Sequence, residues 1–263
     1  MTAAHGAAPA AVAALLMVAV YLTAARRLRH RGDAWPQARD ASFAAGGIAL
    51  AAAIAVPPPA APFTGHMAQH LVAGMVAPLL LVLARPLTLA LRVLRPGRVR
   101  RALLVVAHSR YAVWVTFPPA AALFDVGGLW LLYRTPLFAA THHLAWLHVV
   151  VHLHVLAAGT LLAFAVCALD PPRRRWSLRW RAGALLAAGA AHAVLAKTLY
   201  AAPPPGTTFA TADLRAGAQL MYYGGDLVEL ALAVTLAVQW YAATGRALAA
   251  DRRRNSVTRA VRG

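Results

Sequence analysis

Seven long apolar stretches, separated by clusters of proline, glycine and arginine, constrain the fold of this chain more than any other feature. Each stretch is close to the roughly 20 residues that an α-helix needs to cross about 30 Å of hydrocarbon. The pattern predicts an all-α, polytopic membrane protein with seven transmembrane helices, folded as one integral membrane domain over residues 1–263. The predicted spans are residues 8–25, 41–57, 66–84, 110–127, 139–168, 180–200 and 216–243.

The composition excludes a soluble or a disordered protein. Hydrophobic residues make up 60% of the chain and charged residues 13%, whereas about a quarter of a soluble domain is charged. A soluble chain of 263 residues has too small a core to bury that much apolar surface. The single cysteine, Cys167, rules out an intramolecular disulfide and a paired-cysteine metal motif.

The basic residues alternate between the two sides of the predicted membrane. Nearly all of the 26 lysines and arginines follow the first, third, fifth or seventh stretch. The exceptions are Arg134, Lys197 and Arg215. Because cytoplasmic loops are enriched in basic residues, the N-terminus is predicted outside and the C-terminus in the cytoplasm, with a basic tail at 244–263. We expect these arginines to set topology and contact anionic lipid rather than bind nucleic acid. The excess of arginine over lysine is typical of a GC-rich bacterial genome. We therefore expect the protein to lie in a bacterial cell membrane.

Eight of the 11 histidines lie within the predicted spans, although polar groups are costly in lipid. With the predicted orientation, all eight fall in the outer half of the membrane or near its midplane, on helices that run in both directions. A random distribution would not place them on one side, so the sequence predicts a functional histidine cluster. The eight are His66, His70, His142, His143, His148, His152, His154 and His192.

The spacing of these histidines favours metal binding by some of them. His66 and His70 are four residues apart, as are His148 and His152. Residues at this spacing share one helical face, so each pair can bind a single ion. His154 lies on another face of its helix.

Carboxylate and thioether groups accompany the histidines. Asp226 and Glu229 lie three residues apart in the last predicted span, and Met67 adjoins His66. Imidazole with thioether suits copper, whereas imidazole with carboxylate suits zinc, iron or copper. Other interpretations stay open: the histidines serve packing or hydrogen bonding, and the carboxylates form a polar clamp between helices or a proton path. A b-type haem held by histidines of facing helices is a further alternative.

Three blocks of the sequence carry a family resemblance. The first begins with HMAQH at residues 66–70 and ends with ARPL at residues 84–87; the second, residues 135–171, begins with TPL and ends with DP. The third lies in the last span, and His192 stands between the second and the third. Over residues 41–243 these blocks resemble the CtaG family of cytochrome c oxidase assembly proteins. The chain departs from the family pattern at Arg85, Val155 and Leu214.

The resemblance implies assembly of a haem-copper oxidase, through copper supplied to its catalytic subunit. We hypothesise one cuprous copper site formed by His70, His148, His152 and His192. His66 and Met67 would mark the point where copper enters or is transferred, and Asp226 would balance charge. The full predicted metal set is His66, His70, His148, His152, His192 and Asp226, extended by Met67, His154 and Glu229.

This hypothesis also fixes the expected partners and the competing functions. The partners are the catalytic subunit of the oxidase or other copper-handling proteins, together with the lipid bilayer. No nucleophile–base arrangement or phosphate loop is visible, so a non-enzymatic role is expected. The alternatives are a membrane transporter for copper or another metal, and a haem-dependent membrane oxidoreductase.

Overall fold

The computed structural model describes residues 2–56, 61–171 and 173–262, with side chains from residue 8 to residue 246 of these ranges. Within them the chain is helical and contains no strand, which confirms the predicted all-α class. A π-helical segment, Val72–Val76, joins the α-helices Pro62–Leu71 and Ala77–Leu83. The helices are α1 (Thr2–His30), α2 (Gln37–Ala55), α3 (Pro62–Leu71), α4 (Ala77–Leu83), α5 (Pro86–Val93), α6 (Arg98–Ala107), α7 (Arg110–Val115), α8 (Pro118–Arg134), α9 (Leu137–Thr141), α10 (Ala145–Cys167), α11 (Leu178–Ala201) and α12 (Thr211–Arg262).

Six helical stretches in the described part of the chain are long and apolar enough to cross a membrane, so this is a multi-pass membrane protein. They correspond to six of the seven predicted spans. The predicted basic tail at 244–263 falls in α12, but its side chains from residue 247 onwards lie outside the described residues. The six stretches are Ala8–His30, Gln37–Ala55, Pro62–Leu83, Ala145–Cys167, Leu178–Ala201 and Thr211–Arg246.

The fourth predicted span, residues 110–127, is wrong in its boundaries. The chain turns at Thr116 and Phe117, and a new helix, α8, begins at Pro118 and runs to Arg134. Consecutive prolines cause the break, because proline lacks an N–H for the preceding turn but fits the first turn of a helix. With 17 residues, α8 is about 26 Å long, and it packs against α10 and α11.

The fifth predicted span also starts later than expected. Residues 137–141 form the separate short helix α9, and α10 begins only at Ala145. His142 and His143 therefore lie in the turn between the two helices, where both are exposed. They are at the mouth of the bundle rather than inside a span.

Two aspartates tie the ends of neighbouring helices together. The Asp213 carboxylate, in the first turn of α12, accepts hydrogen bonds from the backbone N–H groups of Phe63 and Thr64, at 2.9 Å each. At the opposite end of the bundle, Asp170 accepts from the N–H groups of Leu87 and Thr88. The first N–H groups of a helix lack intrahelical partners, so these carboxylates cap α3 and α5.

A buried arginine fixes the far end of α10. The Arg181 guanidinium of α11 donates to the carbonyl oxygens of Val166 and Cys167, at 2.6 and 2.8 Å. It also donates to the side-chain oxygen of Gln239 in α12, at 2.7 Å. The Gln239 amide in turn donates to the Cys167 carbonyl oxygen at 2.7 Å. Because the last carbonyls of a helix have no intrahelical donor, Arg181 and Gln239 together cap α10 and link α10, α11 and α12.

Close helix packing occurs where α10 crosses the π-helical segment. A Cβ atom at Gly159 would overlap the backbone of Gly74, so only glycine allows this approach. Small residues at helix crossings are common in membrane bundles, where close packing replaces the hydrophobic effect between helices. The crossing lies directly below His70, and it brings α10 against the helix that carries His66 and His70.

Candidate metal centre

Two buried imidazoles face each other across the bundle interior. The ring centroids of His70, in α3, and His192, in α11, are 6.2 Å apart, and the residues are only 6% and 4% exposed. Both ring nitrogens of His70 and Nε2 of His192 are buried without a hydrogen-bond partner among the described residues. A buried polar atom without a partner costs free energy. A ligand that bonded to these nitrogens would remove that cost, so they are candidate ligand-binding atoms.

Glycines make the room that these two rings occupy. A Cβ atom at Gly225 would overlap the His192 ring, and one at Gly74 would lie 3.3 Å from Cε1 and Nδ1 of His70. Gly74 belongs to the π-helical segment that follows His70, and such segments are frequent at functional sites. Space for the His70 ring is thus left one turn further along its own helical segment, and space for the His192 ring is left by Gly225 on the neighbouring α12.

A second group of histidines lies nearer the mouth of the bundle. His66 is 6.5 Å from His152 between ring centroids, and His152 is 4.1 Å from His148. Nε2 of His66 forms a 2.8 Å hydrogen bond with the hydroxyl of Tyr133. Nδ1 of His152 pairs with the backbone oxygen of His148 at 2.8 Å, which leaves Nε2 of His152 as the nitrogen able to bind an ion.

A small cavity connects the two groups. It measures ≈ 20 Å³ and is lined by His66, His70, His152, Gln69 and Tyr133, together with apolar residues. This is room for about one water molecule or one metal ion. A porphyrin does not fit there, so the haem alternative requires the helices to separate.

Among the described side chains, the carboxylate that reaches the buried pair is that of Glu229. Its Oε1 lies 3.5 Å from Nδ1 of His192, and its side chain occupies space that a Cβ at Gly189 would fill. Asp226, three residues earlier, is exposed. The structure places Asp226 in electrostatic range of His192 but not in contact with it.

The structure adds two polar residues that the sequence analysis missed, Asp125 and Tyr133. Asp125 of α8 lies close enough to Glu229 for their charges to interact. The sequence does carry a signal for Asp125, because it is an acidic residue inside the fourth predicted span, where charge is costly. Tyr133 is completely buried, and a buried tyrosine hydroxyl generally finds a partner, but nothing in its spacing pointed to His66.

The other predicted residues lie apart from the cavity. Met67 is completely buried in an apolar cluster with Phe63 and Met221. His154 is exposed, and its Nε2 pairs with the backbone oxygen of Phe124 at 3.1 Å. Within the described part of the chain, no three His, Cys, Asp or Glu side chains converge closely enough to hold a metal ion together. The predicted four-histidine site thus divides into His70 with His192 and His148 with His152.

Comparison with known proteins adds the family. Residues 19–243 match the family described as cytochrome c oxidase caa3 assembly factor (Caa3_CtaG). The uncharacterized proteins Mb0105 of Mycobacterium bovis and MT0111 of Mycobacterium tuberculosis are each 31% identical over 249 residues, covering 87% of this chain and 38% of theirs. The uncharacterized protein ML1998 of Mycobacterium leprae is 28% identical over 242 residues, covering 84% of this chain and 37% of its own.

The chain therefore spans about two fifths of the length of these curated relatives. No solved structure matches it. The family match covers most of the chain and includes every span carrying the histidine pairs, which confirms the resemblance drawn from the residues. The chain belongs to the Caa3_CtaG family of cytochrome c oxidase assembly factors.

Proposed function

We propose that this protein is a non-catalytic assembly factor that handles cuprous copper for a haem-copper cytochrome c oxidase in a bacterial plasma membrane. Its family supports the role in oxidase assembly. The observation that carries the copper part is the buried His70–His192 pair, with three ring nitrogens that lack partners. The partner that receives the ion is the catalytic subunit of the oxidase.

The proposed topology has seven spans, an outer N-terminus and a cytoplasmic C-terminus. In support, α8 supplies the seventh helix, since it packs against both α10 and α11. Asp213 links the starts of α3 and α12 at one end of the bundle, and Arg181 links α10, α11 and α12 at the other. The arginine-rich loops lie at the second end, which the positive-inside rule assigns to the cytoplasm. The histidine groups then lie on the outer side.

The donor set suits cuprous copper. The pair offers imidazole nitrogens, which are common copper ligands, and the one cysteine, Cys167, is buried at the opposite end of α10. Metal–imidazole bonds are about 2 Å long, so two rings that share one ion have centroids about 6 Å apart. The observed separation of 6.2 Å supports this arrangement. Glu229, beside His192, supplies a negative charge that balances the ion.

The outer histidines are proposed to guide the ion inward. His148 is exposed on α10 and stacks near His152, which in turn faces the cavity that reaches His70. His66 is the first residue of α3 on this path, in line with the role that the sequence suggested for it. Met67 and Asp226 keep their predicted roles as contributors to transfer and charge balance, although their side chains do not line the cavity.

A membrane transporter needs a polar route to both faces, and the packing argues against one. Below Glu229 and Asp125, an apolar cluster that includes Leu162, Val166 and Leu232 fills the bundle. The hydroxyls of Thr160 and Thr235 at this level donate to backbone oxygens of their own helices. The next charged group is Arg181 at the inner end, so no chain of charged side chains connects the two ends within the described residues. The packing therefore favours exchange of the ion on the outer side.

Anaerobic titration of detergent-purified apo-protein with cuprous ion, against a chromophoric chelator, tests the copper proposal. Wild-type protein is expected to bind one ion, and the H70A and H192A variants are expected to lose it. The matched control is His108→Ala, because His108 is an exposed histidine at the arginine-rich end. Equal affinity in wild type, H70A and H192A would show that these residues do not form the site.

A further inference from the structure

One amphipathic segment is scarcely packed against the bundle. Neither α6 nor α7 contains a buried residue. Val99 and Val106 of α6 are exposed, as are Tyr111 and Trp114 of α7. Exposed apolar and aromatic side chains beside arginines are typical of helices that lie in the membrane interface. The segment therefore needs lipid, rather than the rest of the chain, to cover it.

A cavity opens between this segment and the bundle. Its volume is ≈ 160 Å³, and Leu87, Ala107, Val113 and Phe164 contribute its largely apolar wall. A water molecule would find few hydrogen-bond partners in such a cavity, whereas a bound water needs two to four of them. An apolar chain fits the wall better.

One arginine lines the cavity, and three more lie on the α6–α7 segment beside it. Arg173 lines it and donates a 2.8 Å hydrogen bond to the backbone oxygen of His108. Arg110 follows two residues after His108, and Arg98 and Arg101 lie on α6; all three are exposed. Among the side chains that the structure describes, none of these four arginines forms a salt bridge. Their positive charge is thus free to meet an anion.

We propose that α6, α7 and this cavity bind one anionic phospholipid, with an acyl chain in the cavity and the phosphate beside Arg110 and Arg173. Guanidinium groups bind phosphate through charge-assisted hydrogen bonds, and basic pockets between membrane helices bind anionic headgroups. The apolar wall of the cavity is complementary to the acyl chain, and Arg110 and Arg173 are complementary to the anionic headgroup. Copper plays no part in this site.

Native mass spectrometry of the detergent-purified full chain tests the proposal. The probes are phosphatidylglycerol, phosphatidylcholine with the same acyl chains, and inorganic phosphate. We expect one phosphatidylglycerol to be retained at least tenfold more tightly than phosphatidylcholine. The R110Q/R173Q variant should weaken phosphatidylglycerol binding about 30-fold, since each arginine near a headgroup contributes about fivefold.

Two further variants separate the causes. Ala112→Leu narrows the cavity, whose wall includes Ala112, without changing charge, and it should also weaken binding. Arg26→Gln with Arg27→Gln removes the same charge from an exposed site on α1, and it should leave binding unchanged. Equal retention of both lipids, unchanged binding in R110Q/R173Q and A112L, or displacement of the lipid by millimolar phosphate would each overturn the proposal.

Discussion

Replacing His70 with leucine should stabilise the apo-protein while abolishing copper binding. His70 is 6% exposed, and neither ring nitrogen has a hydrogen-bond partner among the described residues. A buried polar atom without a partner costs about 1–3 kcal/mol. Leucine removes this cost and keeps an apolar side chain in the space beside Gly74, so we expect the free energy of unfolding to rise by about 1–2 kcal/mol.

The assay is reversible unfolding in mixed micelles, run on apo-protein and on protein loaded with cuprous ion. Copper at 100 times its dissociation constant should stabilise wild type by about 2.7 kcal/mol, and H70L should show no such gain. The stability order of the two proteins therefore reverses on loading. An apo H70L variant that is less stable than wild type would show that the His70 nitrogens are already satisfied, and the reasoning would fail.

Three further predictions follow from the helix contacts. Gly225→Ala should lower copper affinity at least tenfold in the chelator titration, because the added Cβ displaces the His192 ring. The control is Gly183→Ala, where the added Cβ meets nothing within 4 Å, and it should leave the titration unchanged. Arg181→Met should lower the free energy of unfolding by about 2–4 kcal/mol, because the Val166 carbonyl oxygen and the Gln239 side-chain oxygen lose their donor. Copper stoichiometry should not change, and wild-type stability would contradict the capping role. Asp213→Asn should cost about 1 kcal/mol in the same unfolding assay through the weakened cap of α3, and no loss would mean that the cap is dispensable.

Hydropathy and charge predicted most of the fold because lipid imposes simple rules. Six of the predicted spans match helices of the structure. The prediction was wrong at residues 110–127 because a hydropathy window averages over Pro118 and Pro119, which end one helix and begin the next. Local backbone chemistry, rather than apolar content, set that boundary.

The sequence predicted which end of the bundle gathers histidines, but not how they pair. Pairing depends on the rotation of each helix about its axis, which close packing at Gly159 and Gly225 determines. Asp226 and Glu229 illustrate this dependence: they are three residues apart, yet Glu229 points at His192 and Asp226 outwards. Spacing alone assigns both to similar faces and cannot choose between them.

Copper K-edge X-ray absorption on protein loaded with one equivalent of cuprous ion tests the central claim most directly. The account predicts a cuprous edge and imidazole scattering with only nitrogen ligands, both lost in the H70A/H192A double variant and retained in H108A. A sulfur ligand, or an unchanged spectrum in the double variant, would place copper elsewhere and contradict the assignment of the His70–His192 pair.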